Sequence, residues 1–115
     1  MHEFIKVMKA ASDTTRVKIL KMLQKKVMCV CEIQKAVGTA QSTASKHLKI
    51  LEEAGLITSF KDGLWVNYTL ADGHKSPYAA NLIGNLTHWL DDDGEISEIL
   101  GGLNQIDRFD IVGKN

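Results

Sequence analysis

The sequence predicts a mainly α-helical domain that carries one β-hairpin. Three observations predict it. Apolar residues recur at helical spacing in successive segments up to Gly55. The period then falls to two over 56–70, with Asp62-Gly63 in the middle. A last helical pattern opens at Ser76-Pro77, a capping residue followed by a first-turn proline. At 115 residues the chain is long enough for a single modest core.

The first element is a short amphipathic segment over 3–10, with Phe4, Val7, Met8 and Ala11 along one side. Ser12 or Asp13 caps a second helix running to about Gln24. It turns Val17, Ile19, Leu20 and Leu23 inward and leaves Arg16, Lys18, Lys21 and Lys25 for solvent. Residues 27–37 become helical through Ile33, Ala36 and Val37, and Gly38 ends that helix in a left-handed conformation. After a short turn, a helix from about Ser42 aligns Ala44, Leu48, Leu51 and Ala54 on one stripe. Leu56–Lys61 and Leu64–Leu70 are then two strands about a type I′ turn. On the last helix Tyr78, Leu82, Leu86 and Leu90 form one row at i+4, with Ala79 and Ile83 beside it. Three acids, Asp91–Asp93, oppose the helix dipole and stop it. Ile96, Ile99, Leu100 and Leu103 fit one short helix before an unpatterned end.

Helix, turn, polar-faced helix and hairpin together make a winged helix-turn-helix. The polar face of the 41–54 helix carries Gln41, Ser42, Thr43, Ser45, Lys46, His47 and Lys49, with no acid before Glu52. Amides and hydroxyls can read base edges, and lysines neutralise phosphate. Lys61 extends this set onto the wing. The alternative is an ordinary amphipathic helix with a solvated face, or a module that binds protein. Net charge is zero, yet residues 1–75 hold 12 Lys and Arg against 7 Asp and Glu, and residues 76–115 hold 2 against 7. A body at +5 with a tail at −5 suits double-stranded DNA contact by the body alone. The Tyr78–Leu90 row, with Phe4, is expected to form a homodimer seam, the usual arrangement for readers of two-fold sites, with packing back on its own body as the other reading.

Two cysteines exclude an extracellular disulfide framework, and Met1–Lys6 has no signal-peptide pattern. No apolar run approaches the roughly 20 residues of a membrane span. A cytoplasmic protein is expected. No nucleophile–base pair or phosphate-binding glycine loop is present, so no enzyme and no cofactor are expected.

Cys29-Val30-Cys31 stands at the start of the third helix. Thiols select soft, thiophilic ions. In a regular helix two residues this far apart diverge by about 200°, so one ion would need an unwound first turn. The helix N-terminus and Lys25 and Lys26 should favour thiolate. Two small structural residues, or a redox pair closing a strained ring, are the other readings. Asp91–Asp93 is a candidate for a hard cation or a solvated helix end.

In order, Ala11–Arg16, Cys29–Ile33, Gln41–Leu48, Glu53–Ile57 and Asp62–Tyr68 resemble the ArsR/SmtB family of metal-responsive winged-helix repressors over about residues 4–90. Thr14 stands where that family usually has proline. The resemblance implies a homodimeric repressor; residues 1–91 are expected as its DNA-binding and dimerisation domain and 92–115, which carry no motif of that family, as an acidic tail with a possible short helix. It implies an inverted-repeat operator read by the 41–49 helix and released by an inducer. Cys-Val-Cys-Glu-Ile is similar to the pattern that senses trivalent arsenic or antimony, whose third thiol often falls where this chain has Gln34. Water, hydroxide or a small thiol would complete the set. The N-terminal cysteines of cadmium and lead sensors are absent, and Asn85-Leu-Thr-His88 departs from the zinc pattern. Another thiophilic ion (Cd, Pb or Zn) or thiol oxidation remains the alternative inducer.

Overall fold

The computed structural model describes residues 1–113. Helices α1 (His2–Ala11), α2 (Thr14–Lys25), α3 (Val30–Val37) and α4 (Gln41–Glu53) precede the hairpin. A two-residue strand β1 (Met28–Cys29) lies between α2 and α3. The hairpin is β2 (Ile57–Asp62) and β3 (Trp65–Leu70), and helices α5 (Pro77–Leu86), α6 (Gly94–Gly101) and α7 (Arg108–Gly113) follow. The sheet order is β1-β3-β2, antiparallel throughout.

Local chemistry sets most of these boundaries. The Asp13 carboxylate accepts the Arg16 N–H and opens α2, and Ser76 Oγ accepts the Ala79 N–H to open α5 beside Pro77. Gly38 closes α3 at φ +74°, so the turn into α4 passes through a conformation that glycine adopts without steric cost. Ile19, Leu20, Met22, Met28, Ile33, Leu48, Leu51, Leu56 and Ile57 are almost fully buried and form one core between α2, α3, α4 and the root of the hairpin.

Four expectations are corrected. The hairpin turn falls one residue later than expected, at Gly63-Leu64, with positive φ at Gly63 alone. That is the sign pattern of a II′ turn, which spares Leu64 the left-handed strain a I′ turn would impose. Lys21 is not solvent-facing but 0% exposed. Its ammonium donates to the carbonyls of Leu86 and Trp89 at 2.7 and 2.8 Å and to Asp91 Oδ1 at 2.9 Å. Those bonds collect the open carbonyls at the end of α5, so the last long helix stops at Leu86 instead of reaching Leu90. Leu90 sits beyond it at φ +67°. Finally, two of the three acids of 91–93, Asp91 and Asp93, have structural partners. Asp91 pairs with Lys21, and Asp93 caps α6 by accepting the Ile96 N–H. The tail expected from 92 onward therefore packs on the body, α6 against α2, burying Ile96 and Leu103. Its last two residues, 114–115, lie outside the described residues.

Lys21→Met should lower unfolding free energy by about 2–4 kcal/mol, because a buried cation holding two carbonyls is lost. Urea denaturation measures this. The Asp91 carboxyl is held below the usual carboxylate value by its bond to Lys21. Its contribution is therefore present at neutral pH and lost as pH falls from about 4 through the lower folded value.

Candidate thiol site and nucleic-acid interface

The two cysteines converge. Cys29 is the N-cap of α3, in extended conformation (φ −85°, ψ 169°), and Cys31 lies in the first helical turn. Their sulfurs are 2.6 Å apart. The expected divergence assumed both residues inside the helix; with Cys29 still in β1, no unwinding is needed to bring them together.

Glu32 produces this arrangement. Its side chain is 5% exposed, and Oε1 accepts the Cys29 N–H at 2.9 Å while the Cys29 sulfur faces the Glu32 N–H. This is a capping box with cysteine in the serine position. Arg108 of α7 donates to the same Oε1 at 2.8 Å, and its guanidinium lies 5.0 Å from the Trp65 ring centre on β3. Phe109 meets Trp65 edge-on. The cap-to-N3 spacing of Cys29 and Glu32 was visible in sequence; nothing in the sequence pointed to Arg108.

Cys29 is buried and its thiol is pushed up to about 12, first by burial, then by its hydrogen bond to Cys31, with the Glu32 charge adding to both. For Cys29 this direction is opposite to the expected thiolate. Lys25 is exposed, and Lys26 faces the Glu32 carboxylate at 4.0 Å instead of the sulfur. Cys31 is half-buried. Among the described residues no group of three His, Cys, Asp or Glu side chains is placed to hold a metal ion.

On α4, Ala44, Leu48 and Leu51 are buried while Gln41, Ser42, Thr43, Ser45, Lys46 and Lys49 are exposed on one face. Ala40 supplies no side-chain cap, so the first N–H groups of this 13-residue helix stay open on that face. Lys61 is exposed on the wing. His47 differs from expectation. Its side chain is 18% exposed, with Nδ1 3.1 Å from an Arg16 nitrogen and 3.9 Å from Asp13, so it ties α4 to α2. Arg16 is likewise turned inward, onto the carbonyls of Ala10 and Lys9.

The expected dimer row is divided. Leu86 is 7% exposed and packs on its own core, and Leu90 is off the helix. Phe4 and Tyr78 remain exposed and meet edge-on at 5.3 Å, with Ile5 exposed nearby on α1 and Leu82 half-buried on α5.

An α3–turn–α4 pair with an open polar face, followed by a two-stranded wing, defines a winged helix-turn-helix domain. The family model described as "Bacterial regulatory protein, arsR family" matches residues 13–59. The chain is 36% identical over 80 residues to the arsenical resistance operon repressor of Escherichia coli, an overlap of 69% of this chain and 68% of the repressor. It is 41% identical over 70 residues to a cadmium resistance transcriptional regulatory protein CadC homolog of Staphylococcus aureus, spanning 60% of this chain and 58% of that protein's length. Among solved structures, a homodimeric winged helix-turn-helix DNA-binding domain from Mycobacterium bovis superposes with a TM-score of 0.66 at 27% identity, covering 79% of this chain and 81% of that one. The chain belongs to the arsR family of bacterial regulatory proteins.

Proposed function

We propose that this chain is a cytoplasmic, homodimeric repressor that reads an inverted-repeat operator with α4 and the wing. In this reading it leaves the DNA when trivalent arsenic or antimony binds Cys29 and Cys31. The observation that carries the inducer is the pair of convergent sulfurs, one of them buried with its thiol pushed up to about 12. Arsenous acid suits such a pair. Two As–O bonds break and two As–S bonds form; each departing hydroxide takes a thiol proton and leaves as water. Arsenic stays trivalent and no proton is released. A divalent cation, by contrast, must expel the thiol protons into solution and would want four ligands where two thiols stand. The arsenical repressor relative agrees with the first chemistry, the cadmium relative with the second.

The two classes separate by pH. Arsenite affinity should stay flat between about pH 6 and about pH 8, while cadmium affinity should rise about tenfold per pH unit for each thiol proton released. Cys29→Ser or Cys31→Ser should keep operator binding and abolish release by arsenite. Release of both variants at the parent's arsenite concentration would remove this site as the sensor.

DNA contact rests on the exposed set Gln41, Ser42, Thr43, Ser45, Lys46 and Lys49, with Lys61 on the wing. Lys46→Ala should weaken binding to all sequences alike and reduce the salt slope by about 1. Gln41→Ala should instead erode discrimination among operator variants. Gel shifts over a salt series check both, and binding that shows no salt dependence would favour a protein-interaction module.

The dimer seam is assigned to Phe4, Tyr78 and Leu82, the part of the expected seam that stays accessible in one protomer, with exposed Ile5 added from α1. Phe4→Asp with Tyr78→Asp should give folded monomers of poor operator affinity, since like charges would be desolvated in the seam. Sedimentation as a dimer would refute the assignment.

A further inference from the structure

We propose that Asn67 holds the oxygen ligand of arsenic bound at Cys29 and Cys31, its side-chain carbonyl accepting a hydrogen bond from As–OH. The inference rests on the arsenic reading and specifies the third position of that site. Asn67 lies on β3, directly opposite Cys29 of β1 on one side and Phe60 of β2 on the other. Residues opposed in this way project from the same sheet face with Cβ atoms about 4.5–5.5 Å apart. Cys29, Asn67 and Phe60 therefore form one cross-strand row, with the asparagine beside the thiol.

Asn67 is 4% exposed, and its Oδ1 is buried without a hydrogen-bond partner, the one such side-chain atom among the described residues. An unpartnered buried acceptor destabilises the free protein and is relieved by any ligand that brings a donor. The nearby cation does not supply one, because Arg108 is directed at Glu32 and stacked over Trp65. Along the same face a hollow of about 470 Å³ opens between Phe60, Trp65, Asn67, Arg108 and Phe109, leaving room beside the row.

The chemistry of the third position follows. When arsenous acid condenses with two thiols and releases two waters, one As–OH remains. A hydroxyl donates a hydrogen bond; a third thiolate sulfur or a carbon substituent does not. An acceptor-only atom in this place thus favours two sulfurs and one oxygen over three sulfurs.

The test compares two probes on the parent and on Asn67→Leu. Arsenite keeps an As–OH after binding. Phenylarsine oxide takes both thiols with loss of one water and presents a phenyl carbon instead. Ultraviolet titration of the arsenic–sulfur band should show arsenite weakened about tenfold by Asn67→Leu and phenylarsine oxide changed by less than about twofold. The unliganded variant should unfold at no lower temperature than the parent, since the orphaned acceptor is gone. Equal affinity of parent and variant for arsenite would overturn the proposal and leave the arsenic reading intact, as would equal weakening of both probes. Failure of the parent to bind either probe would overturn the arsenic reading and this inference with it. A measurement on the parent guards against a variant that does not fold: X-ray absorption of the arsenite complex with added glutathione should report two sulfurs and one oxygen, and three sulfurs would overturn the assignment.

Discussion

One buried carboxylate, Glu32, decides the geometry of the thiol site. It fixes Cys29 as a helix cap by accepting its N–H, and it receives Arg108 from the far end of the chain. A carboxylate at this depth is tolerated because it is fully engaged: two donors on one oxygen and the Lys26 ammonium at 4.0 Å from the other. Capping keeps Cys29 extended, extension turns its sulfur toward Cys31, and the same extension lets β1 pair with β3 of the wing. Arg108 then reaches from Glu32 to Trp65. Glu32 thus joins the 26–32 stretch to Arg108, and through Arg108 to Trp65 of the wing.

A second buried charge does comparable work on the opposite side of α2. Lys21 takes the end of α5 and the Asp91 side chain together, and Asp93 two residues later starts α6. The acidic stretch that looks like a tail in composition is thereby used as two local devices, an ion pair and a cap. This also explains why α5 is short and why the row from Tyr78 does not extend to Leu90. A helix whose last carbonyls are claimed by a cation from its own body no longer offers that end to a partner.

Most of the architecture was legible because its signals are local. Asp13, Gly38, Ser76-Pro77 and the change of period after Gly55 each announce a boundary within a few residues, and all appear where expected. The buried stripe Ala44, Leu48 and Leu51 followed from spacing alone, and with it the exposed polar face. What stayed illegible depends on partners distant in sequence. Lys21 reads as a surface residue until Leu86 and Asp91 are beside it. His47 reads as part of the polar face until Arg16 and Asp13 claim it. The sulfurs were expected to diverge because periodicity gives no indication that Cys29 stands one step outside the helix. Asn67 carried no signal as an isolated strand residue; only the register with Cys29 gives it meaning.

These contacts bound what an inducer must do. A ligand shifts an equilibrium only by its differential affinity for the two states. About a hundredfold loss of operator affinity corresponds to roughly 3 kcal/mol of coupling. Two bonds of roughly 2.3 Å at a tetrahedral angle, as for a thiolate-bound zinc ion, set sulfurs about 3.8 Å apart, close to an ordinary sulfur–sulfur contact. Under the proposed function, an ion held by both sulfurs would bear directly on Cys29 and Cys31. Cys29 is the cap of α3, which packs against α4, and belongs to β1, which is paired to the wing. One or two charge-assisted hydrogen bonds of the Glu32 cluster are worth about as much as the coupling required. Under the proposed function, disturbing those bonds is the route by which a ligand at the sulfurs would reach α4 and the wing together.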